Sequence, residues 1–123
     1  MGKKSHDDNV YYKSKGNKLR KKTYNDNPIK GYPNTYIDFY DIFTGKMIRR
    51  RVLGNYGVAI KDYDEPHITH NKKIHIHNWL IKNGGFEKQT DICNLTKKDK
   101  NMFKKMRKKK LKKGNNNEKC WRI

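Results

Sequence analysis

Residues 35–64 read TYIDFYDIFTGKMIRRRVLGNYGVAIKDYD. Three runs rich in aromatic and β-branched residues are separated by two turn signals, Thr44-Gly45-Lys46 and Gly54-Asn55-Tyr56-Gly57. Such a pattern specifies strands joined by tight connections, because Gly and Asn tolerate positive φ. TYIDFYDIF is the first strand, MIRRRVL the return strand and VAIKDYD the third, a meander of about thirty residues. In the return strand, period two sets Ile48, Arg50 and Val52 on the face opposite Met47, Arg49, Arg51 and Leu53. Glu65-Pro66 ends the third strand, since proline cannot donate to a sheet ladder. Gly31-Tyr32-Pro33-Asn34 is the turn that leads into the meander.

Downstream, Ile74-His75-Ile76-His77-Asn78-Trp79 alternates with period two. As a strand it would place His75, His77 and Trp79 on one face and Ile74 and Ile76 on the other. Asn83-Gly84-Gly85 breaks the chain again. Thr96 then reads as a helix N-cap with Asp99 three residues on, the spacing of a capping box. Leu95, Met102, Phe103 and Met106 form an apolar stripe at helical spacing, predicting a helix over about 97–113 that Gly114 and an Asn run stop.

The expected fold class is α+β: a small twisted antiparallel meander of three to four strands, a basic C-terminal helix and a flexible basic N-terminal arm. Residues 1–30 are the arm, 31–95 the β-rich domain and 96–123 the lysine-rich helix and tail. A chain of 123 residues with one third apolar residues supports one domain with a small core. No apolar run approaches the length of about 18 residues that a membrane span requires. MGKKSHDDNV at the N-terminus has no apolar h-region. Cys93 and Cys120 form no CxxC pair and are expected as reduced thiols in a cytoplasmic protein.

The net charge is +19, and its distribution says more than its sum. Residues 1–22 carry eight Lys/Arg against two acids, 97–113 eleven against one, and 23–96 ten against eight. Two cationic flanks enclose a nearly balanced middle. Polyanions are the expected partners, through counterion release from phosphates, with nucleic acid the leading candidate and an anionic membrane surface second to it. Lys104, Lys105, Arg107, Lys108 and Lys109 on the helix are the candidate nucleic-acid contacts. No Walker loop, GxGxxG or GxSxG occurs, so nucleotide-driven and serine-nucleophile chemistry lack support.

Chemistry concentrates in DYDEPHITHNKKIHIHNW, residues 62–79, which holds four of the five histidines. Imidazole titrates near neutral pH and can move protons or bind metal. His75, His77, His67 and His70 are candidate acid/base groups for RNA cleavage, with Asp62 and Asp64 orienting them. Arg49, Arg50, Arg51 and Lys61 are the candidate phosphate contacts. No resident cofactor is required by that reading. The alternative is a divalent ion such as zinc held by His75-x-His77 with Asp62 or Asp64. The plainer reading is a polar loop whose histidines are satisfied by hydrogen bonds. Tyr36, Phe39, Tyr40 and Phe43 are expected in the core, and Tyr56 and Tyr63 are candidates for base stacking. Asp38 and Asp41 are expected to serve strand-edge solubility.

Pro33-Asn34, Asp38, Gly45-Lys46, Arg49-Arg50, Gly57, Asp62, Asp64 and His75-x-His77-x-Trp79 follow in an order and spacing that resembles a toxin-domain family of bacterial polymorphic toxin systems. Its members end many Rhs-type and contact-dependent toxins and also occur as short stand-alone proteins. The resemblance covers about residues 31–79. It implies a nuclease-like protein acting on RNA, either a detached toxin tip or a stand-alone relative. A toxin this basic would be expected to pair with an acidic immunity protein. His67 lies three residues past Asp64, where the family pattern has four, so the implied roles transfer to His75 and His77 rather than to His67.

Overall fold

Two glycines set the hairpins of the meander. Gly45 and Gly57 have φ of 74° and 72°. A Cβ at Gly45 would meet the carbonyl of Leu111, and one at Gly57 the carbonyl of Gly31. Glycine is therefore required at both for backbone conformation and for close approach. Asp41 organises the first turn: its carboxylate accepts from Thr44 Oγ1 at 3.0 Å and from the Phe43 N–H at 3.3 Å. That is a turn role rather than edge solubility. Asn34, with φ 58°, supplies the positive φ of the leading turn.

The computed structural model describes residues 9–23, 26, 28–65, 74–82, 85–92 and 94–111. They form β1 (Val10–Ser14), β2 (Arg20–Lys21), β3 (Tyr36–Asp41), β4 (Met47–Leu53), β5 (Ala59–Asp64), β6 (His75–Lys82), β7 (Gly85–Ile92) and α1 (Lys97–Arg107). One seven-stranded sheet results, in the order β2-β1-β3-β4-β5-β6-β7. Every pair in it is antiparallel. The fold is α+β and sheet-dominated, with more strands than the three to four expected. β1 lies within residues 1–30, read as an arm. It pairs with β3 from Val10↔Asp41 to Ser14↔Ile37, and Val10 and Tyr12 are buried. This part of the expected arm belongs to the sheet.

Both faces of the sheet carry a core. On one, Val10, Tyr12, Ile37, Phe39, Leu53, Ala59 and Trp79 pack together. On the other, Tyr40, Met47, Tyr63 and Ile76 pack against Phe103 and Met106 of α1 and against Leu111. Met47 was expected to share a face with Arg49. A β-bulge intervenes, with Phe39 facing Arg49 and Tyr40 facing Met47. The extra residue flips the alternation locally, so Met47 joins the helix side and Ile48 packs on the other core.

α1 starts as expected. Thr96 Oγ1 accepts from the Asp99 N–H, and the Asp99 carboxylate accepts from the Thr96 N–H, each at 3.1 Å. It ends at Arg107, short of residue 113, because the chain is recruited elsewhere. Lys110 bridges to Lys46, the Leu111 N–H donates to the Gly45 carbonyl at 2.8 Å, and the Leu111 side chain is buried. Among the described residues, no helix is long and apolar enough to cross a membrane. Cys93 and Cys120 lie outside the described residues.

Tyr63, a stacking candidate, is only 3% exposed and donates to Asp99 Oδ1 at 3.0 Å. It ties the helix N-terminus to β5 instead. Burial, reinforced by Asp99, pushes its phenol above the ordinary range. Burial next to Asp38 likewise pushes Tyr40 from 10.0 up to about 12. A phenol raised in the folded state contributes its full stability below the unfolded value near pH 10, and loses it as pH rises through the folded value. The urea midpoint should therefore hold steady from pH 8 to about pH 10 and then drop. Tyr40→Phe should lessen the drop; an equal drop in that variant would assign the effect to other groups.

Candidate functional site

Strand register builds the site. Across β4, β5 and β6, Arg49 stands beside Asp64, and Asp64 beside His75. One row along, Arg51 stands beside Asp62, and Asp62 beside His77. Period two puts these six side chains on one face, the face opposite α1. The expectation that His75 and His77 aim at one place is met: their Nε2 atoms are 3.1 Å apart. Trp79 remains on that face across a register shift in the β6–β7 pairing. Its indole N–H is buried with no hydrogen-bond partner among the described residues.

The two aspartates have different environments. Asp62, 0% exposed, is held by Arg51, whose Nε and Nη2 donate to its two carboxylate oxygens at 2.8 and 3.0 Å. Arg51 also donates to the Pro28 carbonyl at 3.0 Å and lies 5.1 Å from the Phe39 ring centre and 4.8 Å from that of Trp79. A planar guanidinium suits such a stacked, bidentate site, and this pair belongs to the core. Asp64 instead faces the histidines. Its Oδ2 lies 3.1 Å from His77 Nε2 and 3.6 Å from His75 Nε2. Arg49 anchors it from behind, with Nε and Nη2 donating at 2.7 and 3.0 Å. The Arg49 side chain is 28% exposed, the most open of the group.

Asp64, His75 and His77 could hold a metal ion: their donor atoms lie within 4.8 Å of one another. The triangle they make has edges of 3.1, 3.1 and 3.6 Å. A tetrahedral ion with bonds of about 2.0–2.1 Å sets its donors roughly 3.3–3.4 Å apart, so the triangle matches one tetrahedral face. Two imidazole nitrogens and a carboxylate oxygen this close need a proton or a cation among them, since unshielded lone pairs repel. Counting neutral imidazoles, the two arginines balance the two aspartates, and a dication would leave the centre positive.

Several expected contacts lie elsewhere. Arg50 is on the helix side, donating bidentately to Asp38 at 2.8 and 3.0 Å and lying 4.2 Å from the Tyr36 ring centre. Burial weakens its charge, but the hydrogen bonds and field of Asp38 outweigh this and raise its pKa. Asp38 is thus an ion-pair partner rather than an edge charge. Lys61 is also on the helix side, 5.7 Å from the Tyr63 ring centre. It adds to the positive field on Asp99. Burial there pushes the carboxyl up, but the Thr96 and Tyr63 hydrogen bonds together with Lys61 leave it below the usual range. Arg107 pairs with Glu65 at 2.7 and 3.1 Å. Lys104, Lys105, Lys108 and Lys109 are exposed, on the far side of the sheet from the histidines. His67 and His70 lie outside the described residues.

The chain matches no protein family, no curated protein and no solved structure.

Proposed function

We propose that this protein is a nucleic-acid-directed nuclease, with RNA the favoured substrate, whose working centre is a divalent ion held by Asp64, His75 and His77. The convergence of three donor atoms on one point carries the reading. A bound ion would polarise a phosphoryl oxygen or supply hydroxide near neutral pH. Asp64 and the two imidazoles hold it. Arg49 orients Asp64 and, being the most open cation of the group, meets the phosphate. The net charge of +19 favours a polyanionic substrate.

Metal-free catalysis by the histidine pair has less support. A base and an acid acting on one phosphodiester must reach different oxygens of it, whereas these nitrogens lie 3.1 Å apart beside the same carboxylate oxygen. The family resemblance implies a toxin-like role, and the net charge of +19 suits an acidic immunity protein as its counterpart. A second reading, non-catalytic RNA or DNA binding, draws on the position of the lysine helix across the sheet from the centre.

The test incubates labelled RNA and DNA with the protein after EDTA treatment, then with Mg²⁺, Mn²⁺ or Zn²⁺ restored. Cleavage should vanish in EDTA, return with one ion and be absent in His77→Ala. Tight RNA binding without cleavage under any of these ions would establish the binding-only reading.

A further inference from the structure

Two hollows on the helix side of the sheet share a wall. The larger, an open cleft of about 960 Å³, is ringed by Lys13 and Lys15 around the end of β1 and by Lys105, Lys108, Lys109 and Lys110 on α1 and its exit. The smaller, about 470 Å³, runs along the Gly54–Tyr56 turn to Ile60. Asn34 and Tyr36 line both, so the two hollows adjoin and offer an extended ligand a single track.

The ends of this track differ in chemistry. Six lysines line the cleft, and the one acid on the wall, Asp38, is already held bidentately by Arg50. Such a concentration of like charge repels itself and favours an anionic occupant. At the other end the surface is aromatic and aliphatic. Tyr36 is 38% exposed with Arg50 over its ring, Tyr56 is 92% exposed and Ile60 is open to solvent. A cationic groove running into exposed aromatic rings is the arrangement that binds single strands, gripping the backbone and stacking bases. A duplex hides its base faces and would gain nothing from the second half.

We propose that this track binds single-stranded nucleic acid, its phosphates on the lysines of the cleft and a base on Tyr56, on the face of the sheet opposite the Asp64–His75–His77 centre. The proposal concerns strand binding alone and does not rest on cleavage. It also sorts the basic helix. Lys105, Lys108 and Lys109 serve the track, whereas Lys98, Lys100 and Lys104 are outside its lining.

Fluorescence anisotropy of the 123-residue chain in EDTA tests it, with a 15-nucleotide single-stranded RNA, a duplex of equal length and inorganic polyphosphate as probes. Lys105→Ala/Lys109→Ala should flatten the plot of log K against log salt by about 1.4, roughly 0.7 per lost phosphate contact. Lys98→Ala/Lys100→Ala makes the same charge change outside the cleft and should leave that slope unchanged. Tyr56→Ala should weaken the single strand by roughly 5- to 150-fold, the range for one lost stacking contact, and leave duplex and polyphosphate binding as they were. All these side chains are exposed, so a thermal melt should show each variant folded. Equal slopes for the two lysine pairs would reduce binding to diffuse charge and overturn the track. So would a Tyr56→Ala variant with unchanged single-strand affinity. Cleavage by the wild-type protein is scored separately, so a binding protein that never cuts refutes the nuclease and leaves the track standing.

Discussion

His77→Ala, His75→Ala and Asp64→Asn should each lower affinity for Zn²⁺ or Mn²⁺ by more than about 100-fold. Loss of a group that merely orients a ligand already costs roughly 10- to 100-fold, and each of these three is itself a donor. The triangle of 3.1, 3.1 and 3.6 Å edges leaves an ion no fourth side chain among the described residues to compensate. Arg49→Gln should cost less metal affinity than any of them, because toward the ion Arg49 acts through the Asp64 carboxylate and is not itself a donor. Affinity should also fall as pH is lowered, since imidazole and carboxylate must shed protons to ligate. Competition against a chelating dye measures all of this, on variants first shown by circular dichroism to be folded. Wild-type affinity no higher than that of His77→Ala would refute the metal centre. The convergence would then mark a proton shared between imidazole and carboxylate.

Local chemistry made part of this protein readable in sequence. Gly45 and Gly57 announce their hairpins because only glycine fits there. Thr96 and Asp99 announce the helix start because reciprocal hydrogen bonds need that spacing. His75 and His77 share a face because strands alternate. That Asp64, rather than Asp62, meets them depends on register between strands far apart in the chain, and each aspartate also competes for an arginine. The Met47–Ile48 bulge is invisible for the same reason: alternation runs unbroken in the sequence while pairing with β3 shifts it. β1 and β7 were missed because their strand character comes from neighbours. VYYKS is short, and GFEKQTDI has too few apolar residues to alternate; each is held by hydrogen bonding to an adjacent strand. The end of α1 was misjudged because lysines favour helix locally, while Leu111 gains more from burial beside Gly45.

Asp62→Ala should be the most damaging single change for the fold, costing about 3–5 kcal/mol, the range for breaking a buried ion pair from one side. A domain of this size has only about 5–15 kcal/mol in total. Removing the carboxylate leaves the Arg51 charge buried between Phe39 and Trp79 without its counter-ion, and takes away an acid 3.7 Å from Arg49. Arg51→Met/Asp62→Leu removes both charges while keeping apolar bulk, and should recover most of the loss, because a buried pair is often no more stable than a well-packed apolar replacement. Urea unfolding of the two single variants and the double variant isolates the coupling. The same proteins separate two roles for Asp62. If it serves the fold, the recovered double variant binds metal as the wild type does, since the three donors are on other residues. If it orients the histidines, the double variant folds but loses the ion, and the working centre then extends a row further along the sheet.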